Sequence, residues 1–263
     1  MRAGSVDAHQ HYWRASALHP ALAGAYEPED LRGELSAAGV AATVLVQAAD
    51  TAAENRRLAA YAEATETVAG VVGWLPLHDP AACRRELPAL ERIPRLAGVR
   101  RLVGREPLDW LSAPLFAELA ERGLAWDVVA VTDEQVRAVC ALADAVPALR
   151  VVVDHLARPP LDGGAWAPWE AAVRELARRE NVALKLSVGI DALTAWERWD
   201  ARALRRPVEH ALACFGPRRL MLASNWPVVT LRCDYARAWR DLAAACGHDA
   251  DVLGRSAERW YRL

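Results

Sequence analysis

The segment Val6-Asp7-Ala8-His9-Gln10-His11-Tyr12-Trp13 is typical of a short strand and carries two histidines close to the start of the sequence. Alternate side chains of a strand share a face, so His9 and His11 are predicted to point the same way. Two neighbouring imidazoles can form half of a metal site or part of an acid–base pocket. Whether they do so depends on what the other strands bring to the same place.

Seven further apolar runs follow this segment, and amphipathic sequence typical of helices separates them. The eight predicted strands cover residues 6–13, 43–47, 68–75, 98–103, 125–130, 150–155, 182–187 and 219–225. This α/β alternation predicts a single (β/α)8 TIM barrel over residues 1–263, with additional C-terminal helices around Trp239 and Trp260. A doubly wound open sheet is the competing arrangement, because alternation does not show whether the sheet closes. Against it, no Gly-x-Gly-x-x-Gly follows any strand.

Composition limits the functional classes that are open to this sequence of 263 residues. A formal net charge of -2 argues against a broad electrostatic surface for nucleic acid or an anionic membrane. The polar residues Asp7, His9 and His11 interrupt any apolar core of a signal peptide, and no long uncharged apolar stretch suggests a membrane span. The five cysteines lack a Cys-x-x-Cys spacing. We therefore expect a cytoplasmic protein that acts on a small molecule, with a homo-oligomer left open.

Polar residues at the carboxyl ends of barrel strands converge on one mouth, where TIM-barrel enzymes have their active sites. Polar residues at strand ends are candidate site residues, because a buried polar group without a partner lowers the stability of the fold by about 1 to 3 kcal/mol. The candidate site residues are His9, His11, Gln47, Trp74, Arg100, His155, Lys185, Asn225 and Trp226. Trp74 and Trp226 are interpreted as pocket walls. Lys185 either faces the barrel interior or forms a core ion pair with Asp127 or Asp154.

Six motifs in order along the chain resemble the amidohydrolase superfamily. They are Asp-Ala-His-Gln-His-Tyr-Trp at 7–13, Thr-Val-Leu-Val-Gln-Ala at 43–48, Gly-Val-Arg at 98–100, Val-Val-Asp-His-Leu-Ala-Arg-Pro at 152–159, Lys-Leu-Ser at 185–187 and Ser-Asn-Trp-Pro-Val at 224–228. The resemblance is to the branch called amidohydrolase 2, which includes sugar lactonases of the L-fuconolactonase type and dicarboxylate lactone hydrolases. It implies a hydrolase that opens a small polar lactone, either a sugar lactone or a carboxylated one.

The resemblance also implies roles for individual residues. His9, His11 and His155 would form the catalytic pocket, with His155 or the histidine pair as acid and base. Arg100 and Gln47 would bind a carboxylate or hydroxyl groups of the substrate.

Strand eight departs from the pattern of this branch, in which an aspartate in Ser-Asp-Trp-Pro is expected to activate water. The corresponding residue here is Asn225. An amide has no useful basicity near neutral pH, so Asn225 can only position a hydroxyl group or polarise a carbonyl. Two alternatives therefore stay open: a metal-independent isomerase, decarboxylase or cyclase that uses the same histidines, and a catalytically silent barrel that binds a small molecule.

The sequence leaves the cofactor open between none and a single divalent metal such as zinc. Superfamily members with two metals use a lysine or glutamate from strand four and a histidine from strand five, where this chain has arginines and Trp126-Asp127. Three histidines, His9, His11 and His155, could hold one zinc ion with an open position for water. Relatives in the amidohydrolase 2 branch are thought to work without metal.

Overall fold

A barrel of parallel strands forms the centre of the computed structural model, which describes residues 4–16 and 18–263. Each strand pairs in parallel with the next along the chain, in the order β1 to β8. The strands are β1 (Ser5–Gln10), β2 (Val40–Val46), β3 (Val68–Trp74), β4 (Leu96–Arg100), β5 (Ala125–Val128), β6 (Arg150–Val153), β7 (Val182–Leu186) and β8 (Leu220–Leu222). This strictly sequential order confirms the (β/α)8 prediction, since a doubly wound sheet reverses its strand order at a switch point.

The barrel closes where β1 meets the segment that follows β8. The backbone N–H of His11 donates to the Trp226 carbonyl at 2.8 Å. The Asp7 carboxylate on β1 accepts hydrogen bonds from the backbone N–H of Ser224 at 2.9 Å and from its hydroxyl at 2.6 Å. These bonds place the two terminal motifs, at 7–13 and 224–228, side by side.

Helices surround the barrel and alternate with its strands. They are α1 (Pro28–Ala38), α2 (Ala52–Ala64), α3 (Pro80–Leu90), α4 (Ala113–Glu121), α5 (Asp133–Ala145), α6 (Trp166–Ala177), α7 (Ile190–Ala195), α8 (Arg205–Phe215), α9 (Tyr235–Ala245) and α10 (Ser256–Tyr261). The helices predicted around Trp239 and Trp260 are thus confirmed as α9 and α10. No helix in the described ranges combines the length and the apolar character that crossing a bilayer requires.

Two hydrophobic layers hold these elements together. The outer layer lies between strands and helices, and the inner layer fills the barrel with small side chains such as Ala8, Val72 and Ala183. Trp260 and Tyr261 of α10 pack against this inner layer. The C-terminal helix therefore supplies the large side chains that the barrel interior lacks.

Several strands end earlier than the sequence predicted. The structure ends β1 at Gln10, β4 at Arg100 and β8 at Leu222. Beyond these points the chain leaves the sheet to form the loops of the barrel mouth. His11, His155 and Asn225 consequently lie just after their strands, where their side chains can meet a ligand.

Candidate active site

A cavity of about 390 Å³ opens at the mouth that follows the carboxyl ends of the strands. His11, Arg100, His155 and Asn225 all line it. These four residues come from the ends of β1, β4, β6 and β8. The fold thus brings four of the nine sequence-predicted site residues onto one wall.

Three imidazoles form a compact cluster beneath this wall. The ring centroids of His9 and His155 lie 4.7 Å apart, and those of His9 and His11 lie 4.8 Å apart. His9 is fully buried, whereas His11 and His155 are on the cavity wall. His9 can therefore influence a ligand only through its neighbours.

Hydrogen-bond partners assign the tautomer of His11. Its Nδ1 lies 2.7 Å from the Val46 carbonyl, which can only accept, so Nδ1 carries the proton and Nε2 a lone pair. His9 Nε2 lies 3.1 Å from His11 Nε2 and 3.3 Å from Arg100 Nη1, while His9 Nδ1 lies 3.0 Å from the Lys185 ammonium and 3.2 Å from Asp154 Oδ1. Each nitrogen of His9 therefore has a donor beside it, and Nδ1 also has an acceptor. Burial, followed by the charge of Lys185, holds the pKa of His9 well below its usual value.

Lys185 lies in the barrel core and does not reach the cavity wall. Its ammonium group contacts Asp127 Oδ2 at 2.5 Å, Asp154 Oδ1 at 3.0 Å and His9 Nδ1 at 3.0 Å. Three acceptors match the three donors of an ammonium group. Lys185 therefore forms the core ion pair that its alternation with Leu184 and Leu186 left open, and it does so with both Asp127 and Asp154.

The buried carboxylates respond differently to this environment. Burial raises the pKa of Asp127 to about 6, although Lys185 and the Tyr261 hydroxyl oppose that shift. Burial also acts on Asp154, but Lys185, His9 and Arg100 outweigh it and hold the pKa of Asp154 well below its usual value. Asp154 is therefore ionised and forms ion pairs with Lys185 and Arg100.

Arg100 is fixed at the cavity wall by two hydrogen bonds. Its Nη1 donates to Asp154 Oδ2 at 3.1 Å, and its Nη2 donates to the Gln47 carbonyl at 2.7 Å. Its Nη1 also lies 3.3 Å from His9 Nε2, and its Nε–H is buried with no partner among the described residues. A guanidinium has five N–H groups, so Arg100 keeps an N–H of Nη2 for a ligand.

His155 owes its position to an unusual backbone. It begins a run of four consecutive non-glycine residues, His155 to Arg158, with φ between +53° and +58°. The left-handed turn places His155 on the cavity wall with Nδ1 2.9 Å from the Ser187 hydroxyl. A hydroxyl can donate or accept, so His155 Nε2 can present either a lone pair or an N–H. Burial holds the pKa of His155 well below its usual value, which keeps the imidazole neutral.

The left-handed turn predicts a stabilising substitution. Ala157 has φ +53°. This left-handed conformation is unfavourable by about 1–2 kcal/mol for a residue with a Cβ atom but not for glycine. The greater entropy of glycine in the unfolded chain offsets part of this relief. Ala157→Gly is therefore expected to raise the free energy of unfolding by a net amount of about 0.5–1 kcal/mol. Urea denaturation measures this change. The control Ala172→Gly, inside α6, is expected to lower stability by about 1 kcal/mol, and an equal loss in Ala157→Gly would contradict the prediction.

Asn225 is oriented by one hydrogen bond. Its amide nitrogen donates to the Val188 carbonyl at 2.9 Å, which leaves the amide oxygen as its available acceptor. The residue has φ +58°, a conformation that asparagine tolerates better than most residues. An ionised aspartate with the same orientation would turn an oxygen toward the Val188 carbonyl. The local structure therefore suits an amide.

The other predicted residues do not line the cavity. Gln47 is fully buried and donates to Asp50 at 3.2 Å. The backbone of Trp74 is held by Asn55, and its side chain is half-buried. Trp226 is buried and packs against Tyr12, with the ring centroids 5.9 Å apart.

Sequence reasoning missed most of the outer cavity wall. Leu18, Leu102, Arg158 and Ile190 come from loops or helix starts after the strands, where no periodic pattern marks them. Ser187 carried a usable signal, because it lies two residues after Lys185 and alternate residues of a strand share a face.

A metal ion can be tested against the donors that are present. The side chains that could share one ion within the described residues are His9, Asp154 and His155, whose ligand atoms lie within 4.8 Å of one another. This set shares His9 and His155 with the predicted trio and contains Asp154 where the trio has His11. However, Arg100 Nη1 lies 3.3 Å from His9 Nε2, and both carboxylate oxygens of Asp154 bind cations. Since a divalent ion would have to displace these cations, the donor set does not fit a tightly held metal.

The sequence and fold have clear relatives. An amidohydrolase family model matches residues 6–263. L-fucono-1,5-lactonase from Burkholderia ambifaria is 33% identical over 98% of this chain and 95% of its own length, and the enzyme of the same name from Burkholderia multivorans is 32% identical over 100% and 97%.

Solved structures agree with these matches. A crystal structure of an amidohydrolase from Burkholderia multivorans with bound zinc has a TM-score of 0.87 at 29% identity, covering 98% of this chain and 99% of that one. Amidohydrolase 2 from Bifidobacterium longum subsp. infantis has a TM-score of 0.75 at 24% identity, covering 98% of both chains, and shows the shared fold alone.

Proposed function

This chain belongs to the amidohydrolase family, and we propose from that membership that it hydrolyses the cyclic ester bond of a small lactone. Relatives about one-third identical over nearly the whole chain are named L-fucono-1,5-lactonase. The observation that carries the proposal is the convergence of His155, Arg100 and Asn225 on one cavity wall. Ester hydrolysis needs a proton acceptor, a stabilised oxyanion and a positioned water, and these three side chains can supply them.

His155 is the proposed general base and acid. Its Nδ1–H donates to the Ser187 hydroxyl, which leaves the Nε2 lone pair toward the cavity. Nε2 takes a proton from water as the water oxygen adds to the lactone carbonyl. When the tetrahedral intermediate collapses, the C–O bond to the ring oxygen breaks and that oxygen takes the proton back. The product is a hydroxy acid, whose carboxyl group then ionises.

Arg100 and Asn225 have supporting roles in this mechanism. The remaining N–H group of Arg100 stabilises the negative charge that develops on the carbonyl oxygen. The amide oxygen of Asn225 accepts a hydrogen bond from the attacking water and orients its lone pair, without taking its proton. His9 and His11 act as positioning residues, because His9 is fully buried and both nitrogens of His11 are held, Nδ1 by Val46 and Nε2 by His9. No step passes through a metal.

A second candidate reaction is favoured by the amide at position 225. An isomerase, decarboxylase or cyclase moves a proton to or from carbon and does not need a carboxylate to activate water. His155 could serve such a reaction with the same cavity.

Three further properties stay predictions of the sequence. They are a cytoplasmic location, a single domain over residues 1–263 and the oligomeric state.

A lactone assay on the purified protein tests the proposal. We expect hydrolysis of simple δ-lactones and of L-fucono-1,5-lactone, followed as proton release above the spontaneous rate. Activity is expected to change less than twofold after prolonged dialysis against a chelator, since the donor set does not fit a metal. The variant Asn225→Asp serves as a comparison. A silent wild type with turnover only in Asn225→Asp would contradict the hydrolase, and zinc-dependent recovery after dialysis would contradict the metal-free mechanism.

A further inference from the structure

Two exposed leucines lie at the rim of the cavity. Leu18 and Leu102 are 51% and 45% exposed, and the one other large hydrophobic side chain this exposed in the described part of the chain is Leu263, at 38%. Leu18 and Leu102 both line the cavity, although they are far apart in the sequence. Exposed apolar side chains that cluster at a catalytic opening mark a surface that a ligand covers.

Further apolar side chains line the same cavity. They are the aliphatic residues Val103, Val129, Val131, Ile190 and Val228. Within the described residues the lining contains no serine, threonine, glutamine or tyrosine, so its polar groups besides the four floor residues (His11, Arg100, His155 and Asn225) are the charged side chains Arg101, Arg105, Arg158 and Asp191.

Three of these four charged side chains are held in ion pairs. Arg158 forms an ion pair with Asp191, and Arg101 pairs with Glu106. Arg101 also lies over the Trp110 ring, 5.2 Å from its centroid. Arg105 is exposed at the rim, where its guanidinium can stay hydrated. Binding energy above the floor must therefore come mainly from apolar contact.

We propose that the natural substrate is a lactone whose ring carries an apolar substituent that lies along this aliphatic wall and ends between Leu18 and Leu102. This inference rests on the proposed lactone hydrolysis and specifies its substrate class. A cavity of about 390 Å³ also lies in the range that holds ligands larger than a bare six-membered ring. The lactone carbonyl would meet Arg100 and His155 while the substituent points to the rim.

A series of δ-lactones with unbranched side chains tests the substrate class. The series runs from δ-valerolactone, which has no side chain, through methyl and propyl homologues to the butyl homologue δ-nonalactone. Burying each added methylene is expected to raise kcat/KM by about 3- to 4-fold, or about 100-fold for the butyl homologue. L-fucono-1,5-lactone serves as the hydroxylated comparison and is expected to fall below δ-nonalactone.

Variants of the rim test the contact directly. Leu18→Asn and Leu102→Asn are each expected to lower kcat/KM for δ-nonalactone by about 5- to 20-fold while changing that for δ-valerolactone less than twofold. Leu263→Asn removes another exposed leucine, which does not line the cavity, and is expected to change neither value of kcat/KM.

The possible results distinguish the proposed substrate class from the proposed lactone hydrolysis. Equal kcat/KM across the alkyl series, or a preference for L-fucono-1,5-lactone over every alkyl lactone, would overturn the substrate class and leave lactone hydrolysis standing. If kcat/KM still rises with chain length in both rim variants, the placement of the substituent along this wall is overturned. Failure to hydrolyse any lactone would overturn the proposed function itself.

Discussion

Replacing His155 with alanine is expected to lower kcat for lactone hydrolysis by about a thousandfold, the largest effect on activity that the structure predicts. Among the three clustered imidazoles, His155 alone pairs its buried nitrogen with a hydroxyl that can both donate and accept. It can therefore gain and lose a proton at Nε2 without breaking a bond to the protein. His11 cannot, because Val46 and His9 hold both of its nitrogens.

Two further measurements separate proton transfer from packing at this position. His155→Gln keeps a hydrogen bond to Ser187 but cannot carry a proton, so its loss should match that of His155→Ala. Added imidazole is expected to restore part of the activity of the alanine variant, because the substitution opens space at the cavity wall. Circular dichroism and thermal unfolding check that both variants fold. A loss below tenfold in His155→Gln would assign the base elsewhere.

Replacing Lys185 with methionine is expected to lower the free energy of unfolding by about 3–5 kcal/mol, the largest effect on stability. The substitution keeps the length of the side chain but removes the cation that Asp127 and Asp154 share. Asp154 retains Arg100 and His9, whereas the side-chain partner that Asp127 retains among the described residues is the Tyr261 hydroxyl at 2.7 Å. An uncompensated carboxylate then lies in the fully buried core of the barrel.

The pH dependence of this loss identifies its cause. Burial raises the pKa of Asp127 to about 6 in the folded protein, above the 3.8 of an exposed aspartate. Its protonated form therefore favours folding at low pH, and that contribution is lost as the pH rises through about 6. Without Lys185 the pKa of Asp127 rises further, so the stability loss should be larger at pH 8 than at pH 5.

A double variant provides the matched control for the lysine substitution. Lys185→Met with Asp127→Asn removes both charges and keeps an acceptor for Tyr261. We expect it to recover at least half of the stability lost in Lys185→Met, as measured by urea denaturation at pH 8. A double variant no more stable than the single one would show that packing, and not the unpaired charge, causes the loss.

Contacts of His9 connect Lys185 with the histidines of the cavity wall. The Lys185 ammonium lies 3.0 Å from His9 Nδ1, and His9 Nε2 lies 3.1 Å from His11 Nε2. A structural ion cluster at the barrel centre and an acid–base site at its mouth are thus parts of one hydrogen-bonded chain. The functional residues at the mouth inherit their orientation from residues that never touch the ligand.

The sequence by itself determined the strand count, the alternation with helices and the direction of the first histidine pair. These features follow from local periods: alternate residues of a strand share a face, and helical stripes recur with the turn. His9 and His11 illustrate this, since their shared direction survives although the strand ends at Gln10. The six motifs likewise lie in sequence order and placed the chain in its family.

Only the tertiary structure decided how deep each polar side chain lies and what pairs with it. Lys185, Gln47, Trp74 and Trp226 share strand-end positions with Arg100, yet Arg100 alone of these five lines the cavity. Depth depends on the stagger of eight strands and on how each loop folds back, and both arise from contacts between residues far apart in the chain. The rim is the clearest case, because Leu18 and Leu102 become neighbours of one cavity only when the barrel closes.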